Sequence, residues 1–300
     1  MQICRSFLFT PADRLLAVSK SLAMRALDVV IIDLEDAVGV ASKDSSREGL
    51  VDFFKAKGPD LSNRAAYPKV MVRINHTEST SWGLPDLEAL LPHVQGVDAI
   101  LIPKVESHET ITRVAAKLSS ASSTSRLPSL WCMIESARGV EYAHAISRHP
   151  AVAGLVFGSN DMTKDLRAQM TVDRNHLQYS LGRIVNAARA EGKMVVDGVF
   201  MDLSDDGSGL EKEALQGRAL GFDGKSIIHP KQLDVVNRVF SPSEADVLHA
   251  QAVCDAFADA QKAGKGVCVL GGKLIEALHV EQAHWTLKIF NSIKDRGGRS

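Results

Sequence analysis

Four cysteines in 300 residues, none of them paired in a CxxC spacing, exclude a cysteine zinc cage and a disulfide framework. Reduced thiols in a cytoplasmic compartment are the simpler expectation. Lysine and arginine total 35 against 36 aspartates and glutamates, a formal net charge of −1. That near-balance gives no electrostatic footprint for nucleic acid or an anionic membrane surface. No apolar run approaches the roughly 18 residues of a membrane span. The start, "MQICRSFLFTPADR", also lacks the length and cleavage signal of a signal peptide.

Several catalytic and binding fingerprints are missing as well. No GxGxxG or GxxxxGK[ST] is present, which removes the usual nucleotide-binding loops, and no GxSxG elbow marks a serine hydrolase. The histidines form no set at metal-ligand spacing.

What is present is ample core material, 45% hydrophobic residues against 24% charged. It is arranged in eight apolar, β-rich runs at 6–11, 28–35, 69–75, 98–105, 130–136, 153–161, 193–199 and 222–230. The runs are nearly continuous rather than alternating, as parallel strands buried on both faces require. Amphipathic segments such as 12–26, 84–94 and 175–192 lie between them. Eight strand–helix units predict a closed (β/α)8 TIM barrel over 1–240, with a doubly wound open sheet as the alternative. Residues 241–300 read as a helix, a hairpin turning at Gly271–Gly272 and a second helix, an extension fit to act as a lid or an oligomer contact. The Ser-rich 119–126 and the Gly/Asp-rich 202–209 read as surface loops.

Barrel enzymes gather their chemistry at the C-terminal ends of the strands. Here those ends carry Thr10, Asp33–Asp36, Arg73 and Asn75, Lys104 and Glu106, Glu135, Asn160 and Asp161, Asp197 and His229. Glu135 and Asp161, 26 residues apart on adjacent strands, make a hard oxygen pair for Mg2+ or Mn2+. Alternatively each caps the helix that follows it. Arg73 is a fixed fork of donors for a carboxylate or a polarised carbonyl, or the partner of Glu35 or Asp36. Lys104 is placed to bridge acids on neighbouring strands. Arg14 and Lys20 either bracket a phosphate group or decorate a solvated helix. Asp33, still within its strand, reads as structural.

Taken in order, "RSFLFTPADR", "DLEDAV" with Lys43 and Arg47, "VRIN", "PKVES", "MIESARGV", "FGSNDMTKDL", "GFDGKSIIHPKQ" and "GKLIE" resemble the citrate lyase β-subunit-like branch of the aldolase/citrate lyase family. That branch includes malyl-CoA and citramalyl-CoA lyases, and the resemblance spans nearly the whole chain. It implies a homotrimer or hexamer of (β/α)8 barrels, with each C-terminal extension closing over a neighbour's site. It implies Mg2+ on Glu135 and Asp161, with Arg73 polarising the substrate carbonyl and Glu35 and Asp36 holding Arg73 and ordered water. Arg14 and Lys20 match positions that meet the phosphates of coenzyme A, and Ile228 and His229 line the pantetheine path.

The implied reaction is retro-Claisen cleavage of a 3-hydroxyacyl-CoA to a 2-oxo acid and acetyl-CoA. A CoA-independent aldolase and the β subunit of a carrier-dependent citrate lyase are the alternatives. Proton transfer falls to the acid of "GKLIE", which is Glu276 where the family usually has Asp. Its extra methylene adds about 1.5 Å. Leu278 stands where the family has proline, and Ser226 follows "GK" where the family often has an aromatic residue or Thr.

Overall fold

The computed structural model describes residues 4–61, 68–121 and 127–297. It divides into two compact units, Cys4–Asn237 and a second beginning at Arg238. In the first unit eight strands close into one all-parallel barrel in sequence order. They are β1 (Ser6–Pro11), β2 (Val29–Asp33), β3 (Lys69–Arg73), β4 (Ala99–Ile102), β5 (Ser129–Ile134), β6 (Val152–Phe157), β7 (Met194–Asp197) and β8 (Gly224–Ile227). The ring shuts where Phe7 of β1 pairs with Ser226 of β8. Closure of the ring rules out the open-sheet alternative, and the helices between the strands cover its outer face.

Alternation along the strands sorts side chains into two sets. Phe7, Ile31, Met71, Leu101, Trp131 and Met133 belong to the cluster that fills the barrel interior. Their neighbours, among them Val30, Val72, Ile100 and Cys132, are equally buried on the opposite face, against the surrounding helices. Full burial on both faces explains why the strands read as unbroken apolar runs.

The predicted runs overshoot the strands at their C-terminal ends. The run 153–161 includes three residues of the helix Ser159–Asp165, and 28–35 extends two residues past β2. Polar residues at the mouth therefore stand mostly on the first residues after each strand. Helix Lys43–Leu61 follows the "DLEDAV" loop, and helix His108–Ala121 runs into the Ser-rich segment, whose residues 122–126 lie outside the described residues. The 202–209 loop is ordered around Asp205, whose carboxylate accepts from the Gly207, Gly209 and Leu210 N–H groups.

In the second unit, Ser243 and Asp246 form a reciprocal capping box that starts the helix Glu244–Lys262. The hairpin β9 (Cys268–Leu270) and β10 (Lys273–Ile275) follows, with Ile275 opposite Cys268. Gly271 and Gly272 both take positive φ, 56° and 77°, as a two-residue type I′ turn needs. The helix Ala277–Gly297 completes the unit around Ala250, Val253, Phe257, Ile275 and Ala283. The helix–hairpin–helix order is the one expected from the sequence. Among the described residues no helix is long and apolar enough to cross a membrane.

Candidate active site

The mouth of the barrel is built around one buried arginine. Arg73, the last residue of β3, lies in register with Asp33, the last residue of β2. Both point inward, because they continue the alternation of Ile31 and Met71. Asp33 accepts from Arg73 Nε at 2.7 Å and from Nη2 at 2.6 Å, a bidentate pair. Its carboxylate also accepts from the Glu35 and Ala37 N–H groups. Burial works to raise the Asp33 pKa, but Arg73 and these hydrogen bonds win and hold it below the usual carboxylate range. The guanidinium lies 4.9 Å from the Phe9 ring centroid, a cation–π contact that fixes its plane.

Of the two acids expected to hold Arg73, Glu35 pairs with it and Asp36 stands farther off; the expectation left out Asp33. The adjacent strand end supplies the bidentate partner, so Asp33 takes the Nε–Nη2 edge of the fork. Glu35 Oε2 lies 2.8 Å from Arg73 Nη1 as an ion pair, at an angle that makes no hydrogen bond, which leaves this buried oxygen without a donor. Asp36, half-exposed, stands 3.9 Å away. Burial first, and the Asp36 charge second among the raising influences, pushes the Glu35 carboxyl upward, against the pull of Arg73 and Lys104.

The loop that carries these acids is tied down from below. Lys43 Nζ donates to the carbonyls of Leu34 (2.8 Å) and Glu35 (2.6 Å) and to Asn75 Oδ1 (2.7 Å). Asn75 in turn donates to Asp86 Oδ2 at 2.6 Å. The "DLEDAV" and "VRIN" motifs are thus one connected structure.

Glu135 follows β5 immediately and is 2% exposed. Its Oε1 accepts from the Lys104 N–H at 2.7 Å. Its Oε2 lies against Gly158, where a Cβ would come within 2.5 Å. Burial, with Glu35 and Asp161 adding to it, pushes the Glu135 carboxyl up to about 7, against the opposing influence of Arg73 and the Lys104 N–H. Asp161 is the third residue of the helix Ser159–Asp165 and half-buried, rather than at the strand end where spacing puts it. Neither acid caps a helix: Ser136 caps the helix after β5, accepting from Gly139 N–H at 3.0 Å, and the N-cap of the other is Gly158.

The donor chemistry fits a hard divalent ion. Glu135 has one oxygen fixed and the other free of protein hydrogen bonds among the described residues, and Asp161 is near enough to raise its pKa. No group of three or more His, Cys, Asp or Glu is gathered for a metal among the described residues. Two carboxylates with positions left for water and substrate is the arrangement Mg2+ commonly takes.

The other candidates are placed as follows. Arg14 precedes the helix Leu15–Leu22 and Lys20 lies within it; both are exposed. Ile228 is half-buried and its N–H donates to Gln232 Oε1 at 2.9 Å. His229 is exposed, its Nδ1 accepting from the Lys231 N–H at 3.2 Å as a helix cap. Glu276 belongs to the second unit, half-buried between β10 and the final helix, where its carbonyl accepts from the His279 N–H.

Asp197 does not join the mouth, contrary to its place among the expected strand-end polar groups. It is the outward-facing last residue of β7, packed where Gly217 of the helix Ser208–Leu220 leaves room. There it accepts from Arg174 at 2.8 Å and from Lys225, fully buried on β8, at 3.2 Å. Glu213 completes this buried ionic group as a second acceptor for Lys225, at 2.6 Å. Sequence reading also missed the Lys104 backbone contact, since a lysine gives no sign of a positive φ.

Comparison with known proteins bears on the family and the fold. Residues 5–230 match the family described as HpcH/HpaI aldolase/citrate lyase. A (3S)-malyl-CoA thioesterase of Cereibacter sphaeroides is 40% identical over 94% of this chain and 93% of its own. The citrate lyase subunit beta of Leuconostoc mesenteroides is 31% identical over 96% and 93%. Among solved structures, the Mycobacterium tuberculosis CitE protein in complex with magnesium, acetoacetate and coenzyme A superposes with a TM-score of 0.76 at 28% identity, over 96% of this chain and 98% of that one. The chain belongs to the HpcH/HpaI aldolase/citrate lyase family.

Proposed function

We propose that this chain is a carbon–carbon lyase that cleaves a short 3-hydroxyacyl-CoA to a 2-oxo acid and acetyl-CoA. The observation that carries the reading is the meeting of Arg73 and Glu135 at one buried mouth, each acting on the other's charge, with Nη1 the one guanidinium nitrogen that Asp33 does not hold, lying between Glu35 Oε2 and Met133 Sδ. Glu135 and Asp161 would hold Mg2+ or Mn2+, which when bound supplies Lewis-acid stabilisation of oxygen charge. Arg73 Nη1 faces the oxygen that becomes the product ketone, and Asp33 keeps the fork aligned. Loss of the hydroxyl proton turns its O–H electron pair into the carbonyl bond, and the C–C pair passes to the thioester as an enolate. A proton returned to that carbon gives acetyl-CoA.

Glu35 and Asp36 are the acids on this rim that order water or hydroxyl beside Arg73. Arg14 and Lys20 would meet coenzyme A phosphates, and Ile228 and His229 the pantetheine. Glu276 would carry the proton for the enolate from a neighbouring subunit's hairpin in a cytoplasmic homotrimer or hexamer. The coenzyme A complex of the related CitE structure supports the thioester as substrate.

One observation favours a second reading, hydrolysis of the thioester. The relative named a (3S)-malyl-CoA thioesterase is 40% identical, against 31% for the citrate lyase subunit beta. The test is a panel of malyl-CoA, citramalyl-CoA and citryl-CoA, with and without Mg2+, trapping any released 2-oxo acid as its hydrazone. Metal-dependent hydrazone from one member is the expected result. The lyase reading falls if no member yields a 2-oxo acid under any metal condition.

A further inference from the structure

Two residues beyond the end of β4, Lys104 takes φ 51°. This is the left-handed region, which side-chain-bearing residues avoid because Cβ crowds the following carbonyl. The turn takes its N–H out of the ladder and aims it at Glu135 Oε1, 2.7 Å away. Pairing with β5 resumes at once, since the Val105 N–H donates to the Met133 carbonyl at 3.1 Å. The side chain runs the other way along the rim, where Nζ lies 2.5 Å from Glu35 Oε1 and 3.6 Å from Asp36 Oδ1. One residue therefore touches an acid on each side, with main chain toward β5 and ammonium toward β2.

We propose that Lys104 is a positioning residue that ties the metal pair to the arginine cluster. Its N–H fixes Glu135 with Oε2 left for the divalent ion, and its ammonium fixes Glu35 beside Arg73. The inference rests on Glu135 and Asp161 being the metal pair. Its two halves are separable, because only the backbone half depends on φ. Lys104→Gly keeps the left-handed turn and the N–H and removes the ammonium. Lys104→Val removes the ammonium and, being β-branched, also opposes positive φ. Lys104→Arg keeps the charge.

The probe is Mn2+ alone, titrated calorimetrically into metal-stripped full-length protein, with the electron paramagnetic resonance spectrum of the bound ion recorded. Lys104→Gly is expected to bind Mn2+ at least as tightly as wild type, because losing a cation beside the acids favours a dication. Lys104→Val loses the same cation yet is expected to bind about tenfold more weakly or worse, with an altered spectrum. If its melting curve shows that Lys104→Val does not fold, Lys104→Ala takes its place, with a smaller loss expected. For the ammonium half, Lys104→Gly is expected to lose kcat with little change in KM, and Lys104→Arg to recover it. Equal Mn2+ affinity in folded Gly and Val (or Ala) variants overturns the backbone role. A kcat unaffected in Lys104→Gly overturns the ammonium role. Failure of the wild type to bind Mn2+ overturns the metal assignment itself, and this inference with it.

Discussion

Arg73 shows how a buried cation is made useful. A guanidinium this deep is costly unless its donors are met, and Asp33 bonds two of its three nitrogens in a geometry only arginine can match. Arg73→Lys loses the fork, the Phe9 contact and the directed Nη1 donor together. Steady-state kinetics should show kcat lower by about 10²–10³; a change within a few-fold would remove Arg73 from the chemistry. Glu135 is the converse, a carboxylate whose folded pKa lies at about 7 against an ordinary 4.5. In metal-free protein its contribution to stability is complete below pH 4.5 and is lost as pH rises through about 7, a fall of about 3 kcal/mol. Urea melts in chelator at pH 5 and pH 8 should show that fall in wild type and lack it in Glu135→Gln. Equal slopes would mean the carboxylate is not destabilised by burial. Divalent ion is expected to offset the loss by binding the ionised form alone.

The strands and their ends differ in what they require of their neighbours. Gly158 is glycine because Glu135 fills the space a Cβ would take, 2.4 Å from Glu135 Cβ and 2.5 Å from Oε2. Gly158→Ala must push Glu135 aside, and a displacement of that order is expected to cost about 10²-fold in rate. Unchanged turnover in that variant would mean Glu135 need not be fixed. The eight strands were legible in sequence because each is apolar on both faces, and that continuity is a property of single residues. The closed ring follows from their number. Asp33, Asp197 and Lys104 were less legible. Asp33 and Asp197 both end strands, yet one turns into the barrel and the other into the helix layer, a difference of one step in alternation that an overshooting apolar run conceals. Lys104 contributes through its main chain, which no side-chain type reveals. Glu135, Asp161 and Arg73 could be singled out because each is a charged residue at or near the end of an apolar run, although a helix cap or an ion pair would account for that position as well.

At the scale of the molecule, the family's fold supplies a barrel with a charged mouth, and Glu276 lies in the C-terminal unit. If each hairpin serves a neighbour's site, mixing inactive Arg73→Lys and Glu276→Ala subunits should restore activity. Random exchange leaves about a quarter of sites with both native residues in a symmetric ring. Activity that stays absent after demonstrated subunit exchange would assign Glu276 to its own chain or to no site. If Glu276 carries the proton, its extra methylene bears on which bond breaks, because a proton must reach the enolate carbon for cleavage to be productive. Whether the C–C bond breaks can be read by incubating malyl-CoA with the Mg2+-loaded protein and counting both product pairs by mass spectrometry. Glyoxylate and acetyl-CoA in equal amounts, ahead of any free coenzyme A, is the predicted result. Malate and free coenzyme A, with no glyoxylate at any time, would contradict it and establish hydrolysis in its place.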